Sequence, residues 1–203
     1  MLRVRILSVN FLRNGLLRKK LRKAKRRLIE SAPTVCYYQF NISKLYEIIM
    51  DKIFHFDASA DPYVADAAVL SCFDERIRQT VNKFLKRRGI LRPDMIVVAG
   101  GAKTLASPRN DCERDFVLEQ LRMSILLHNV RRVLLMSHSD CGACGGLAAF
   151  GGDPARESAH HRMELGRARD LVRARFPEIP VQGFFVNFEG VFAADAEGVG
   201  QTA

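Results

Sequence analysis

Two short clusters concentrate the side chains that can do chemistry. The first is Cys72-Phe73-Asp74-Glu75-Arg76, and the second, far along the chain, is His138-Ser139-Asp140-Cys141-Gly142. Two thiolates and one imidazole, from Cys72, Cys141 and His138, make a normal protein ligand set for catalytic zinc, with the fourth position left for water or substrate. Soft sulfur beside imidazole disfavours magnesium and calcium. Either cluster alone recurs by chance. Their order, and the buried strand expected before each, gives the pair its weight.

Plainer roles compete. Cys72 and Cys141 also admit the lesser reading of ordinary buried thiols, and His138 that of a core histidine with its hydrogen bonds satisfied. Asp74 and Arg76 read as an acid at a helix start and a surface base. Cys141-Gly142-Ala143-Cys144 is also a Cys-x-x-Cys, so Cys144 is open to three readings: a redox partner, a substitute ligand, or a small buried residue beside Gly145-Gly146. Asp140 reads as a loop or capping residue. The run Gly100-Gly101-Ala102-Lys103-Thr104 lacks the glycine directly before the lysine that a phosphate loop needs. His160-His161 suit proton shuttling or, on a charged helix, a solvated surface, and the second is the expectation. His128 reads as a helix C-terminal residue well placed against the dipole. His55 and Cys112 carry no readable role.

These clusters need elements to position them. Asp66–Ser71 is a short apolar run ending at Cys72. Glu75–Arg88 has Ile77, Val81, Phe84 and Leu85 on one face, which is helical spacing, and Gly89 ends it. Met95–Ala99 reads as a buried strand punctuated by Gly100-Gly101. Glu113–His128 is a second amphipathic helix with Val117, Leu118, Leu121, Ile125 and Leu126 inward. Val133–Met136 is a third buried strand, ending at Ser137-His138. Ala155–Arg175 reads as a third helix stopped by Pro177, and Val181–Val186 as the last strand. Continuous apolar strands alternating with helices predict an α/β fold, a mostly parallel sheet with helices on both faces. Ligands in such sheets bind beyond the carboxyl ends of the strands, and both clusters lie there.

The chain has 203 residues, is 48% hydrophobic and 27% charged, and carries a formal net charge of +10. Residues 1–49 hold 12 Lys and Arg against 2 Asp and Glu, and the remainder holds 20 of each. All the excess charge is therefore in the first quarter, and the balanced body gives no reason to expect nucleic acid as its partner. Residues 1–49 form a basic extension in which Leu17, Leu21, Ala24 and Leu28 recur at helical spacing. It reads as a transit-like segment, as an arm for anionic lipid or RNA, or as sequence upstream of a true start at Met50. The third is the expectation, with the folded domain spanning residues 50–203. No apolar run approaches the ~20 residues of a membrane-spanning helix. Five cysteines (one, Cys36, in the extension) are an odd count that argues against a disulfide framework. A reducing, cytoplasmic location is expected.

At the two clusters the chain resembles the β-class carbonic anhydrases. Cys72, Asp74 and Arg76 match that family's Cys-x-Asp-x-Arg motif, and His138 and Cys141 its His-x-x-Cys motif. Ser137–Ala143 looks like its Gly-His-Ser-x-Cys-Gly segment, and Val98–Gly101 like its Ala-Gly-Asn turn. The resemblance spans about residues 66–190. It implies that Cys72, His138 and Cys141 bind Zn2+, and that Asp74 and Arg76 form a catalytic dyad beside it. It implies reversible hydration of CO2 to bicarbonate by a metal-bound hydroxide, in a homodimer or higher oligomer. The chain departs from the pattern in three ways. Gly101 stands for the usual Asn, Ser137 for the usual Gly, and the segment between clusters is long, with an insertion-like stretch from Lys103 to Asp111. Gly101 and that long segment motivate an alternative, a non-catalytic structural or regulatory zinc protein on the same fold. A second alternative is a hydrolase of a CO2 analogue.

Overall fold

The computed structural model describes residues 53–194 and, before them, Lys23, which is helical and exposed. The helical spacing at Leu17–Leu28, Cys36 and the Met50 boundary lie outside the described residues. The chain divides into two compact units, Met1–Ala60 and Asp61–Ala203. In the first, residues 53–60 are exposed and without regular structure. The second carries every strand described below.

Five strands form one sheet: β1 (Ala67–Ser71), β2 (Pro93–Val97), β3 (Val133–His138), β4 (Val181–Val186) and β5 (Val191–Ala193), in the order β2-β1-β3-β4-β5. Three of the four pairings are parallel, and β4 with β5 is antiparallel. The helices are α1 (Glu75–Arg87), α2 (Lys103–Ala106), α3 (Asp111–His128) and α4 (Pro154–Arg175). Strand alternation sorts the core into two layers. Ala67, Val69, Leu134, Met136, Phe184 and Val186 meet Ile77, Val81 and Leu85 of α1 on one face. Leu70, Val133, Leu135 and Phe185 meet Val117, Leu121, Leu165 and Val172 of α3 and α4 on the other. Each of these side chains larger than alanine contributes about 1.5–3 kcal/mol when taken from water.

Local chemistry sets the helix ends. Asp74 caps α1, its side chain accepting the Arg76 amide. The Ile90 amide returns to the Leu85 carbonyl at 2.9 Å, with Gly89 at φ +69°, which is a Schellman closure. Asn110 caps α3 by accepting the Glu113 amide at 3.0 Å, and Glu113 accepts the Arg109 amide at 2.7 Å in return. Asp153 caps α4, with Pro154 in its first turn.

The mostly parallel, two-faced α/β sheet is as the sequence predicts, and three details differ. β2 is not a buried strand: Met95 and Val97 are 39% and 47% exposed. It is an edge strand that α1 does not cover, and an apolar run alone does not distinguish edge from centre. Leu126 is 62% exposed, and Ser124 takes the buried place on α3. Val181–Val186 is not the last strand, because β5 turns back on it. Lys103–Asp111 forms the turn α2, which buries Thr104 and Leu105, followed by the capped start of α3.

Topology places a crevice. From β1 the chain goes to β2 on one side by way of α1, and from β3 to β4 on the other by way of α4, on the opposite face. The carboxyl ends of β1 and β3 are therefore a switch point, where open α/β sheets bind their ligands.

Candidate metal centre

Cys72 follows the last residue of β1, His138 is the last residue of β3, and Cys141 follows it after one turn. The sheet register thus brings the two clusters to one place. One ligand atom from each of Cys72, His138 and Cys141 lies within 4.8 Å of the others. His138 and Cys141 are buried and Cys72 is half-buried.

The donor set fits a zinc ion. His138 Nδ1 lies 2.9 Å from the Ser139 carbonyl oxygen. An oxygen there demands a proton on Nδ1, so Nε2 carries the lone pair. That Nε2 is buried and has no hydrogen-bond partner, which is costly for a ring nitrogen unless something else binds it. The Gly100 amide donates to Cys72 Sγ at 3.4 Å. The Cys141 thiol's hydrogen bond, reinforced by burial, pushes the Cys72 thiol up to about 11. Contact with Cys144 raises Cys141 and lowers Cys144. Cation binding at Cys72 and Cys141 would therefore release protons. Burial opposes charge on His138, but its contact with Cys72 and Ser139 lifts it overall.

Asp74 and Arg76 stand beside the three. Arg76 Nε lies 3.0 Å from Asp74 Oδ1 and 3.1 Å from Oδ2, and Nη2 donates to Oδ2 at 2.7 Å. The guanidinium holds Asp74 down at about 2. The plainer expectation, an acid at a helix start, is realised in the same residue, since Asp74 also caps α1 at 2.9 Å. The cavity they border has a volume of about 600 Å3 and includes Cys72, Phe73, Ala99, Cys141 and Ala143 in its wall.

Gly101 has a local reason. Its φ is +53°, and a Cβ there would collide with the Met136 carbonyl oxygen and meet the Cys72 amide at 3.0 Å. The Ala102 amide donates to that same Met136 oxygen at 3.1 Å. Loop 98–102 is thereby drawn across the ends of β1 and β3, and only glycine lets it approach so closely.

Other expectations are corrected here. His160-His161 are not a solvated pair: His160 is half-buried and His161 is 1% exposed. His161 stacks on Phe185 at 5.3 Å, because α4 turns that position onto the sheet. Burial, with repulsion from His160 and His138, pushes it down to about 4. Asp140 does more than shape a loop. Its Oδ2 accepts Arg76 Nη1 at 2.9 Å and its amide donates to Glu157 Oε1 at 2.7 Å. Glu157 lies in the first turn of α4, where an acid reads as a dipole partner, and so its burial gave no signal. Cys144 is half-buried. His128 is bound at 2.8 Å to Asp94, as part of a second polar cluster with Tyr63 and Ser124.

Comparison with known proteins places the whole sheet in one family. Residues 65–194 match the family described as "Putative carbonic anhydrase". An uncharacterized protein of Rickettsia conorii (strain ATCC VR-613 / Malish 7) is 25% identical over 130 residues, 63% of this chain and 70% of that protein. Among solved structures, β-carbonic anhydrase isoform I of Trichomonas vaginalis superposes with a TM-score of 0.45 at 16% identity, over 89% of this chain and 97% of that one. The carbonic anhydrase of Streptococcus mutans gives 0.44 at 16% identity, over 80% and 100%. The family match takes in β1 through β5 and both clusters, and on it the chain belongs to this carbonic anhydrase family.

Proposed function

We propose that this chain holds zinc through Cys72, His138 and Cys141 and interconverts CO2 and bicarbonate. One observation carries the reading: a buried, unpartnered His138 Nε2 converges with two thiols beside a carboxylate locked by a guanidinium. Zinc there would supply a Lewis acid that brings the pKa of water down to about 7.

The chain's own residues supply the rest. Asp74, held at about 2, is an acceptor only at any working pH. It takes a hydrogen bond from an oxygen that bears a proton and rejects one that does not. Asp74 therefore orients a protonated oxygen at the cavity wall. Arg76 keeps that carboxylate ionised and fixes its plane. Phe73, Ala99 and Ala143 offer an apolar wall to CO2, which has no net dipole and little use for donors. Of the features that motivated a non-catalytic zinc protein, Gly101 has a local explanation in its close approach to the Met136 carbonyl.

The chemistry is assigned to residues 50–203, with none for residues 1–49. Reduced thiols suit a cytoplasmic location, and a homodimer or higher oligomer belongs to the same reading. The test is metal content together with stopped-flow CO2 hydration. Stoichiometric zinc and hydration that Asp74→Ala abolishes are expected. Zinc without hydration would sink the activity, and no zinc would sink the centre as well. An equally active protein lacking residues 1–49 is expected, and lost activity would return function to that segment.

A further inference from the structure

Asp140 lies between two of the proposed ligands and belongs neither to the ligand set nor to the Asp74–Arg76 pair. Its backbone is left-handed, at φ +52°, which is uncommon for a residue with a side chain. Four contacts hold it there. Its amide donates to Glu157 Oε1 at 2.7 Å, and Glu157 is 2% exposed. Its Oδ1 accepts the Leu147 amide at 3.0 Å. Its Oδ2 accepts Arg76 Nη1, and its carbonyl oxygen accepts Arg76 Nη2, both at 2.9 Å. A Cβ on Gly146 would come within 2.9 Å of Oδ1, so the carboxylate is seated against bare backbone.

Arg76 is therefore gripped from two sides. Nε and Nη2 face Asp74, while Nη1 and Nη2 face Asp140, and the guanidinium lies 5.4 Å from the centre of the Phe188 ring. A half-exposed arginine with a single carboxylate partner gains little, because solvent competes and the long side chain loses rotamer freedom. With a second carboxylate, held by the Leu147 amide on a residue whose own amide is tied to buried Glu157, the fork has one orientation.

We propose that Asp140 is a positioning residue: it fixes the Arg76 guanidinium and, through it, the Asp74 carboxylate at the cavity wall. This rests on the zinc reading for its effect on turnover, but not for the contact itself. Asp140→Asn separates the two. Asparagine tolerates left-handed backbone and keeps an oxygen for the Leu147 amide, but then turns an NH2 group toward Arg76 Nη1.

The experiment follows the Arg76 Nε–H signal by 15N NMR in wild-type protein and in Asp140→Asn, both zinc-loaded and after chelation. Turnover and zinc content are measured in parallel. The wild type is expected to show a protected Nε–H with or without metal, and Asp140→Asn to exchange it at least ~10-fold faster. Zinc content is expected to stay the same, with kcat down roughly 10- to 100-fold, the usual scale for partners behind the ligands, at unchanged KM. An Arg76 signal that Asp140→Asn leaves unaltered overturns the positioning role and leaves the zinc reading standing. A wild type that takes up no zinc overturns the zinc reading, while the Arg76 exchange still decides the contact.

Discussion

Two carboxylates sit at opposite ends of the same parallel sheet, and both are held below the ordinary range. Asp74, beyond the carboxyl end of β1, is clamped by Arg76. Asp94, near the amino end of β2, accepts from Ser124 at 2.6 Å and Tyr63 at 3.0 Å and contacts His128 at 2.8 Å. The hydrogen bonds from Ser124, His128 and Tyr63 outweigh the burial that would raise Asp94. Taken as types, Ser, His, Asp and Tyr look more like catalytic machinery than Asp beside Arg does. The difference is in what is left over. At Asp94 both hydroxyls and the histidine spend themselves on the carboxylate, and the serine reaches the acid rather than the ring. At Asp74 the neighbouring His138 Nε2 is buried with nothing to bind. A satisfied network ties strands and helices together, while an unsatisfied donor set beside a cavity is poised for a ligand.

Breaking the two ends separately tests that contrast. The largest effect is expected from Cys141→Ser, which removes a sulfur from the proposed ligand set. Zinc retention and CO2 hydration should fall by more than the roughly 100-fold that partners behind the ligands cost, read by metal analysis and stopped flow. Asp74→Asn keeps the shape and removes the acceptor-only carboxylate. Hydration should drop roughly 100-fold, the lower scale of a lost proton-handling group, at unchanged zinc. A Cys141→Ser protein with full zinc, or an Asp74→Asn protein with full turnover, would erase the distinction between the two ends.

How much of this was legible depended on range. β1, α1 and β4 could be read because their apolar spacing and caps are local: Ile77, Val81 and Leu85 repeat on one face, and Gly89 marks the stop. The meeting of Cys72, His138 and Cys141 could be read because they are rare types at or just beyond the ends of apolar runs. What pairs across the sheet left no such mark. Met95 and Val97 look like core until β2 proves to be an edge. Asp140 and Glu157 are ordinary loop and first-turn acids until the fold brings them together. Gly101 looked like a defect in a motif, and its meaning lies in the Met136 carbonyl of another strand. Gly101→Ala should therefore cost about 3 kcal/mol, from the left-handed backbone and the collision together, read as a lowered denaturation midpoint.

His161 sharpens the contrast from a third direction. It is fully buried against Phe185, with Nε2 unpartnered and 3.9 Å from Glu157. Its pKa is about 4 folded against 6.5 unfolded, so between those values the unfolded chain binds more protons. Its contribution to stability is complete above pH 6.5 and is lost as the pH falls toward 4. The shift corresponds to roughly 3 kcal/mol at most. Denaturation midpoints measured across that window should fall for the wild type and fall less for His161→Phe. Parallel slopes would mean that His161 is not buried neutral.

The smallest effect is expected at Asp94. In Asp94→Asn the amide oxygen still accepts one donor, and the Ser124 and Tyr63 hydroxyls can rotate to accept from the new NH2 group. Only the charge-assisted part of the network is lost, about 1–2 kcal/mol, or a few degrees in Tm for a chain of this size. Hydration should not change, since nothing at the amino end of β2 borders the cavity. The same Asp-to-Asn replacement thus separates the two ends by turnover: hydration falls at Asp74 and holds at Asp94, while each end loses the charge-assisted part of its hydrogen bonds. If Asp94→Asn slowed hydration at unchanged zinc content, satisfaction of hydrogen bonds would not be a sufficient guide to where this protein works.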